Sequence, residues 1–259
     1  MFGFKSEFVL KDIDLDVNKK SITVILGPNG SGKTSLMNII TGLVEFEGQV
    51  KIGGHDITKE SYLTRNMTGI CPQENVYFKY LSIREHLKLV SDLKQTLRES
   101  DSGYNGGHLI RLLNLESELN KEAFKLSGGT LRRLVLAVAL IGPNDVLLLD
   151  EPTAALDPII RRKVWDLILD SRNSKTVLIT SHHLEEANLL SDQICIISKG
   201  NNEELVYELN FEDSHRFSEM FDDLYANESY LAINDISLGM TTLEGSYAKI
   251  VSKNKQMMF

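Results

Sequence analysis

An α/β fold with a mainly parallel sheet and flanking helices is predicted by three features of the sequence. Apolar runs of strand length at 22–26, 146–149, 176–180 and 193–197 alternate with segments whose apolar residues recur at helical spacing. A glycine-rich turn separates the first of these runs from a helix. Asp150, Glu151 and His182 stand just past the ends of two further runs, where an open parallel sheet carries its chemistry.

The elements follow in order. Apolar and polar residues alternate at Ile13, Leu15 and Val17, and the run 22–26 then reads as a buried strand. Residues 35–43 place Leu36, Ile39, Ile40 and Leu43 at helical spacing, whereas 48–80 reads as short strand-like pieces punctuated by glycine and proline. From Ser82 onward Ile83, Leu87 and Val90 keep a helical period, and Ser82 with Glu85 forms a capping box. Residues 99–107, rich in Gly, Ser, Asn and Asp, read as a loop, and 109–115 as a helix. A further helix over 131–141 follows Ser127, with Arg132 and Arg133 near its start. The run 146–149 is a buried strand that meets Asp150 and Glu151. Asp157-Pro158 starts a helix reaching about Ser171, with the carboxylate as cap and the proline at the first helical position. The strand 176–180 delivers Ser181 and His182, and a helix over about 184–190 and a strand over 193–197 complete the series.

Composition excludes several classes. The 259 residues are 42% hydrophobic and 25% charged, with 18 glycines and 5 prolines, which fits a globular chain and neither a collagen-like nor a low-complexity one. The net charge of -8 argues against non-specific nucleic-acid binding over the whole surface, so no nucleic-acid partner is expected. Residues 201–259 carry 11 acidic and 4 basic side chains, against 25 and 24 in 1–200, so the charge is concentrated beyond Gly200. Cys71 and Cys195 lack CxxC spacing and suggest neither a disulfide framework nor a zinc site, which fits a reducing compartment. The longest apolar stretch, 134–141, is too short to span a bilayer, and the start lacks a secretory signal; a cytosolic or cytosol-facing chain is expected.

The chemistry begins at Gly27-Pro28-Asn29-Gly30-Ser31-Gly32-Lys33-Thr34, which satisfies G-x-x-x-x-G-K-[ST] and continues into Ser35. Its glycines let backbone N–H groups turn toward phosphates, Lys33 reaches the β and γ oxygens, and the Thr34 hydroxyl ligates Mg²⁺. Asp150 is placed to hold Mg²⁺ through its water shell, and Glu151 to orient and deprotonate an attacking water. A glycine turn with an incidental lysine, or a strand ending in solvent-facing acids, is the bland alternative for each feature alone. Their occurrence together favours nucleotide chemistry.

Leu126-Ser127-Gly128-Gly129-Thr130 lies between these two motifs, and here the sequence resembles the ATP-binding cassette (ABC) family, which carries an LSGG signature at that place. The resemblance implies a P-loop NTPase of ABC type, with ATP and Mg²⁺ as cofactors. It implies an ATPase domain over 1–200, a helical signature subdomain at about 74–142, and a small α+β appendage over 201–259, acidic, regulatory-like and incomplete. By the same resemblance Gln73 is the Q-loop residue that touches Mg²⁺, Asp157 belongs to the D-loop, and His182 is the switch histidine at the γ-phosphate. Catalysis then falls to Glu151, His182 and Gln73, and metal binding to Thr34, Gln73 and Asp150. Ser127, Gly128 and Gly129 contact ATP held by the P-loop of a second cassette, homologous or identical. Phe2 or Phe4 is the candidate to stack on adenine.

Residues 69–76, 81–87, 161–165 and 181–187, with 204–209 and 240–244 in the tail, are similar to the A subfamily, the large lipid exporters. That similarity implies transmembrane partner domains, a lipid cargo and a place at the cytoplasmic face of a membrane, the isolated chain being cytosolic. The sequence departs from the pattern at Thr130, where the subfamily usually has Met, and at Ala155, where it has Gly. Against the family pattern, the connecting stretch near Lys199-Gly200-Asn201-Asn202 is expected to be missing and the first strand to be clipped. Two alternatives follow: a truncated cassette that binds ATP without efficient turnover, and a soluble, non-transport cassette protein acting on ribosomes or DNA.

Overall fold

The computed structural model describes residues 10, 11, 13–97, 106–199 and 204–210. In chain order the elements are β1 (Ile22–Leu26), α1 (Lys33–Ile40), β2 (Lys51–Ile52), β3 (His55–Asp56), α2 (Ser61–Met67), β4 (Thr68–Cys71), α3 (Ile83–Leu97), α4 (Gly106–Leu112), α5 (Gly128–Leu140), β5 (Val146–Asp150), α6 (Pro158–Ser171), β6 (Thr176–Ser181), α7 (Leu184–Leu190), β7 (Gln193–Lys199) and β8 (Glu204–Asn210).

The main sheet has six strands in the order β4-β5-β6-β1-β7-β8, and the first five run parallel. β1 lies between β6 and β7, and both faces of the sheet are covered, so all five of its residues are buried, which explains a continuous apolar run rather than an alternating one. Ile22, Val24 and Leu26 face the larger core with Leu147, Leu149, Val177 and Ile179, joined by α5, α6 and the start of α3. Ile25, Leu148, Leu178, Cys195 and Ile197 face the other side, against Leu36 and Met37 of α1. Each such fully buried aliphatic side chain contributes roughly 1.5–3 kcal/mol, so the sheet is anchored through both faces. Burial pushes the Cys71 thiol up to about 11, and Cys195 is also a free, buried thiol, so both act as small core residues.

Several expectations needed correction. Helix α2 falls where only strand-like pieces were expected; Thr64 is its one buried residue, so it lacks the apolar period that announces a helix. Gly106 and Gly107, expected in the loop, are the first turn of α4, which ends at Leu112 rather than 115. Ile13, Leu15 and Val17 keep their alternation as alternating exposure and pack on the α1 side of the sheet, although residues 13–18 form no strand. The Ser82–Glu85 capping box is present: Ser82 N donates to Glu85 Oε2 at 2.7 Å and Glu85 N to Ser82 Oγ at 3.3 Å.

The segment expected to open the appendage supplies β8, which pairs antiparallel with the whole of β7, from Lys199↔Glu204 to Gln193↔Asn210. Phe2, Phe4, the connector at 200–203 and the tail from 211 lie outside the described residues. Among the described residues no helix is long and apolar enough to cross a membrane.

Candidate functional site

The loop 27–32 joins β1 to α1 at the carboxyl end of the parallel strands, and its glycines are needed for their backbone. A Cβ at Gly27 would overlap the Ile197 carbonyl oxygen at the end of β7, whereas Gly30 and Gly32 take φ of 79° and 102°, in the left-handed region. Gly32 is the N-cap of α1, and that helix start has neither a side-chain cap nor an acidic residue in its first turn. Its N–H groups are therefore free of side-chain competition, which suits an anion. Ser31 Oγ is buried without a hydrogen-bond partner. A hydroxyl without a partner in a cradle of glycine and lysine fits a phosphate oxygen as its acceptor.

Lys33 is 5% exposed, and its Nζ donates to Gly27 O at 2.9 Å and Pro28 O at 3.0 Å, 4.0 Å from Glu151 Oε1. Burial holds its pKa below the usual lysine value, and the nearby Glu151 and Asp150 carboxylates offset part of that shift. The ammonium thus rests on two main-chain carbonyls of the glycine loop itself. Thr34 Oγ1 donates to Gln73 Oε1 at 3.1 Å, which brings together two of the expected metal ligands from α1 and the end of β4. The third, Asp150, is buried at the end of β5 and accepts a hydrogen bond from Thr180 Oγ1. An oxygen-only donor set of hydroxyl, amide and carboxylate fits Mg²⁺.

Glu151 stands at φ 48°, a left-handed backbone that is costly for a residue with a side chain, on the order of 1–3 kcal/mol. Its N–H donates to Thr180 O at 3.2 Å and Thr180 Oγ1 at 3.0 Å, so β6 holds the turn that ends β5. The carboxylate lies 3.1 Å from His182 Nδ1 at the end of β6. Lys33, Glu151 and His182 therefore converge from three elements, as three consecutive strand ends should deliver them.

The remaining expected residues lie apart. Ser127 is exposed and caps α5, its Oγ accepting from Thr130 N at 3.2 Å; Gly128 is exposed beside it. Among the described residues no hydrogen bond joins Ser127, Gly128 or Gly129 to residues 27–35. Gly129 instead approaches the turn before α6, where its Cβ would stand 3.7 Å from Ala155 O. Asp157 is exposed and caps α6, accepting from Ile159 N at 3.1 Å and Ile160 N at 3.0 Å.

Two residues that sequence reasoning left without a role support the site from beneath. Arg132 is buried and binds four main-chain carbonyls around Gln73 and Glu151. Glu186, also buried, accepts from Thr153 Oγ1 at 2.8 Å, Trp165 Nε1 at 2.9 Å and Ser181 Oγ at 2.6 Å, tying the turn after Glu151 to α6 and to the strand end before His182. A serine five residues before a glutamate on a helix start was the only signal for the second, and nothing in the sequence signals the acceptors of the first.

A family model described as ABC transporter matches residues 10–154, more than half of the chain. The chain belongs to the ABC transporter family. ABC transporter A family member 4 of Dictyostelium discoideum is 31% identical over 310 residues, covering 98% of this chain and 19% of that protein. Retinal-specific phospholipid-transporting ATPase ABCA4 of Mus musculus is 39% identical over 189 residues, covering 73% and 8%, and human phospholipid-transporting ATPase ABCA3 is 36% identical over 199 residues, covering 76% and 12%. This ABC chain spans a fifth or less of these relatives' lengths. Among solved structures, an ATP binding subunit of an ABC transporter superposes with a TM-score of 0.72 at 22% identity, covering 88% of this chain and 95% of that one. The dimeric structure of a bacterial ABC transporter cassette gives a TM-score of 0.69 at 25% identity, covering 81% and 94%. The fold expected from the strand–helix alternation is thus the ABC cassette fold.

Proposed function

We propose that the chain is the nucleotide-binding domain of an A-type ABC transporter, binding ATP with Mg²⁺ and hydrolysing it to ADP and phosphate to drive lipid across a membrane. The observation that carries the reading is the Glu151 carboxylate set between His182 Nδ1 at 3.1 Å and Lys33 Nζ at 4.0 Å, beside the glycine cradle. In it, the N–H groups of 30–35 and Lys33 bind the phosphates, and Thr34, Gln73 and Asp150 would hold Mg²⁺, which would supply positive charge against that developing on the phosphate oxygens. Glu151 accepts a proton from the attacking water as its oxygen bonds to the γ-phosphorus and the bond to the β-bridging oxygen breaks. His182, released from Glu151, donates toward a γ-oxygen, and ADP leaves with the electron pair of the broken bond.

The exposed Ser127, Gly128 and Asp157, with the half-buried Gly129 beside them, fit contacts to the nucleotide of a second cassette, a copy or a homologue, and the described structural relative is itself dimeric. The A-family relatives, two of them phospholipid-transporting ATPases by name, support membrane-embedded partner domains, a lipid cargo and a place at the cytoplasmic face.

ATP turnover of the purified chain beside Glu151→Gln tests this. The wild type is expected to release phosphate, and E151Q to lose turnover by about a hundredfold or more while retaining ATP and forming a dimer that wild type forms only transiently. A wild type that neither hydrolyses ATP nor dimerises with it overturns the proposal.

A further inference from the structure

We propose that Arg132 is a positioning residue that locks the backbone of Gln73 to that of Glu151, setting the rate of hydrolysis rather than the affinity for nucleotide. The inference rests on the ATPase reading above. Strands β4 and β5 pair in register from Thr68↔Val146 to Cys71↔Leu149, and there the ladder stops. Pro72 has no N–H with which to make the next rung, so the carbonyls beyond it need another donor. The Arg132 guanidinium enters at that point. One terminal nitrogen donates to Pro72 O at 2.6 Å and Gln73 O at 3.1 Å, and the other to Asp150 O at 2.6 Å and Glu151 O at 2.8 Å.

Nothing in α5 is free to absorb a change at this fork. Its neighbours Leu134, Leu136 and Ala137 are fully buried, and a Cβ on Gly69 of β4 would overlap Ala139 O, so strand and helix touch at the backbone. The two clamped segments are those whose side chains do the chemistry. Gln73 accepts from Thr34 at the metal position, and Glu151 carries the carboxylate on a left-handed backbone. Such a conformation persists only where its surroundings over-determine it. Thr180 holds the Glu151 N–H and Arg132 holds its carbonyl, one from each side of the turn. A planar fork matches two pairs of acceptors at once, which an ammonium on a flexible stem does not.

Steady-state hydrolysis and binding of a fluorescent ATP analogue by wild type, Arg132→Lys and Arg132→Gln test the idea. In R132Q, kcat is expected to fall about a hundredfold, the loss that a misplacement of about 1 Å at the reacting groups can cause, while KM and the analogue Kd stay within about threefold. R132K is expected to recover kcat only in part. Unchanged kcat in R132Q, or Kd rising in step with the loss of kcat, overturns the proposal. A second measurement needs no variant. In wild type, amide hydrogen exchange at 73–74 and at 151 and 153 is expected to share one protection level and to rise together on binding the analogue. Independent exchange of the two segments overturns the proposal even if R132Q fails to fold. A wild type without turnover and without analogue binding would count against the ATPase reading instead, and the exchange pattern in the free chain would still decide the clamp.

Discussion

Ala155 holds φ 60°, a conformation that glycine adopts without penalty and alanine does not, and it is exposed, so packing does not explain the residue. Ala155→Gly is therefore expected to raise stability by about 0.5–1 kcal/mol after the entropy of the freer unfolded chain is subtracted. The urea midpoint reads this directly. Gly27 is the reverse case, because the atom a Cβ would meet is main chain at the end of β7 and does not swing aside. Gly27→Ala is expected to cost roughly 1–3 kcal/mol and to weaken ATP-analogue binding together with stability.

Lys33 gives a pH signature. Its folded pKa is depressed by burial, so between that value and the ordinary 10.5 the unfolded chain binds more protons than the folded one. Stability contributed at this position must then rise with pH through that window. Relative to Lys33→Met, which has no proton to lose, the nucleotide-free wild type is expected to gain stability on going from neutral to alkaline pH. A difference between the two that stays flat or shrinks contradicts this.

Among the elements, the helices that carry the site are fixed by buried polar contacts as well as by apolar faces. Glu186 on α7 gathers three donors, from the turn after Glu151, from α6 and from the end of β6, so Glu186→Ala strands an indole N–H and two hydroxyls in the core. A loss of about 2–4 kcal/mol is expected in chemical denaturation, with a fall in kcat because Ser181 precedes His182. Glu186→Gln, similar in shape, separates the roles: a drop in kcat larger than its loss of stability would support alignment of His182 through this hub. Adjacent arginines on α5 divide the work in the same way. Arg132 binds the strand ends of the site, whereas Arg133 donates to Leu113 O at 2.8 Å and Asn114 O at 2.7 Å and so finishes α4.

How legible each part was depends on what it is made of. The buried strands were readable because sheet faces covered on both sides require unbroken apolar runs, and the caps at Ser82 and Asp157 because a cap is a local motif. Helix α2 was not, since its burial is too slight to impose a period. Lys33, Glu151 and His182 could be assigned to strand ends, but the fork of Arg132 could not, because its acceptors are carbonyls that every residue possesses. Which carbonyls lack partners is settled by where a ladder stops, and that is a property of pairing rather than of sequence.

At the scale of the molecule, the chain is one cassette of a family whose described relatives are five or more times longer. The alignment to the Dictyostelium relative spans 310 positions against the chain's 259, so that protein carries residues within the matched span that have no counterpart here. The acidic stretch after Gly200 begins by adding β8 to the sheet rather than by leaving it. An antiparallel strand on an otherwise parallel sheet covers the edge of β7 that would otherwise offer unpaired main-chain groups.

The place of β1 in that sheet also governs when the site comes into being. The strand that leads into the phosphate cradle precedes both of its neighbours, β6 and β7, in the chain, and Ile22 N reaches Asp192 Oδ2 across 170 residues. Loop closure on that scale is slow and must precede any reward from the contact. During synthesis, therefore, the early glycine loop has no wall to lean on until the late strands leave the ribosome. Nascent chains stalled before residue 176 are expected to capture no ATP analogue, and chains released past 199 to capture it, so affinity for nucleotide reports completion of the fold.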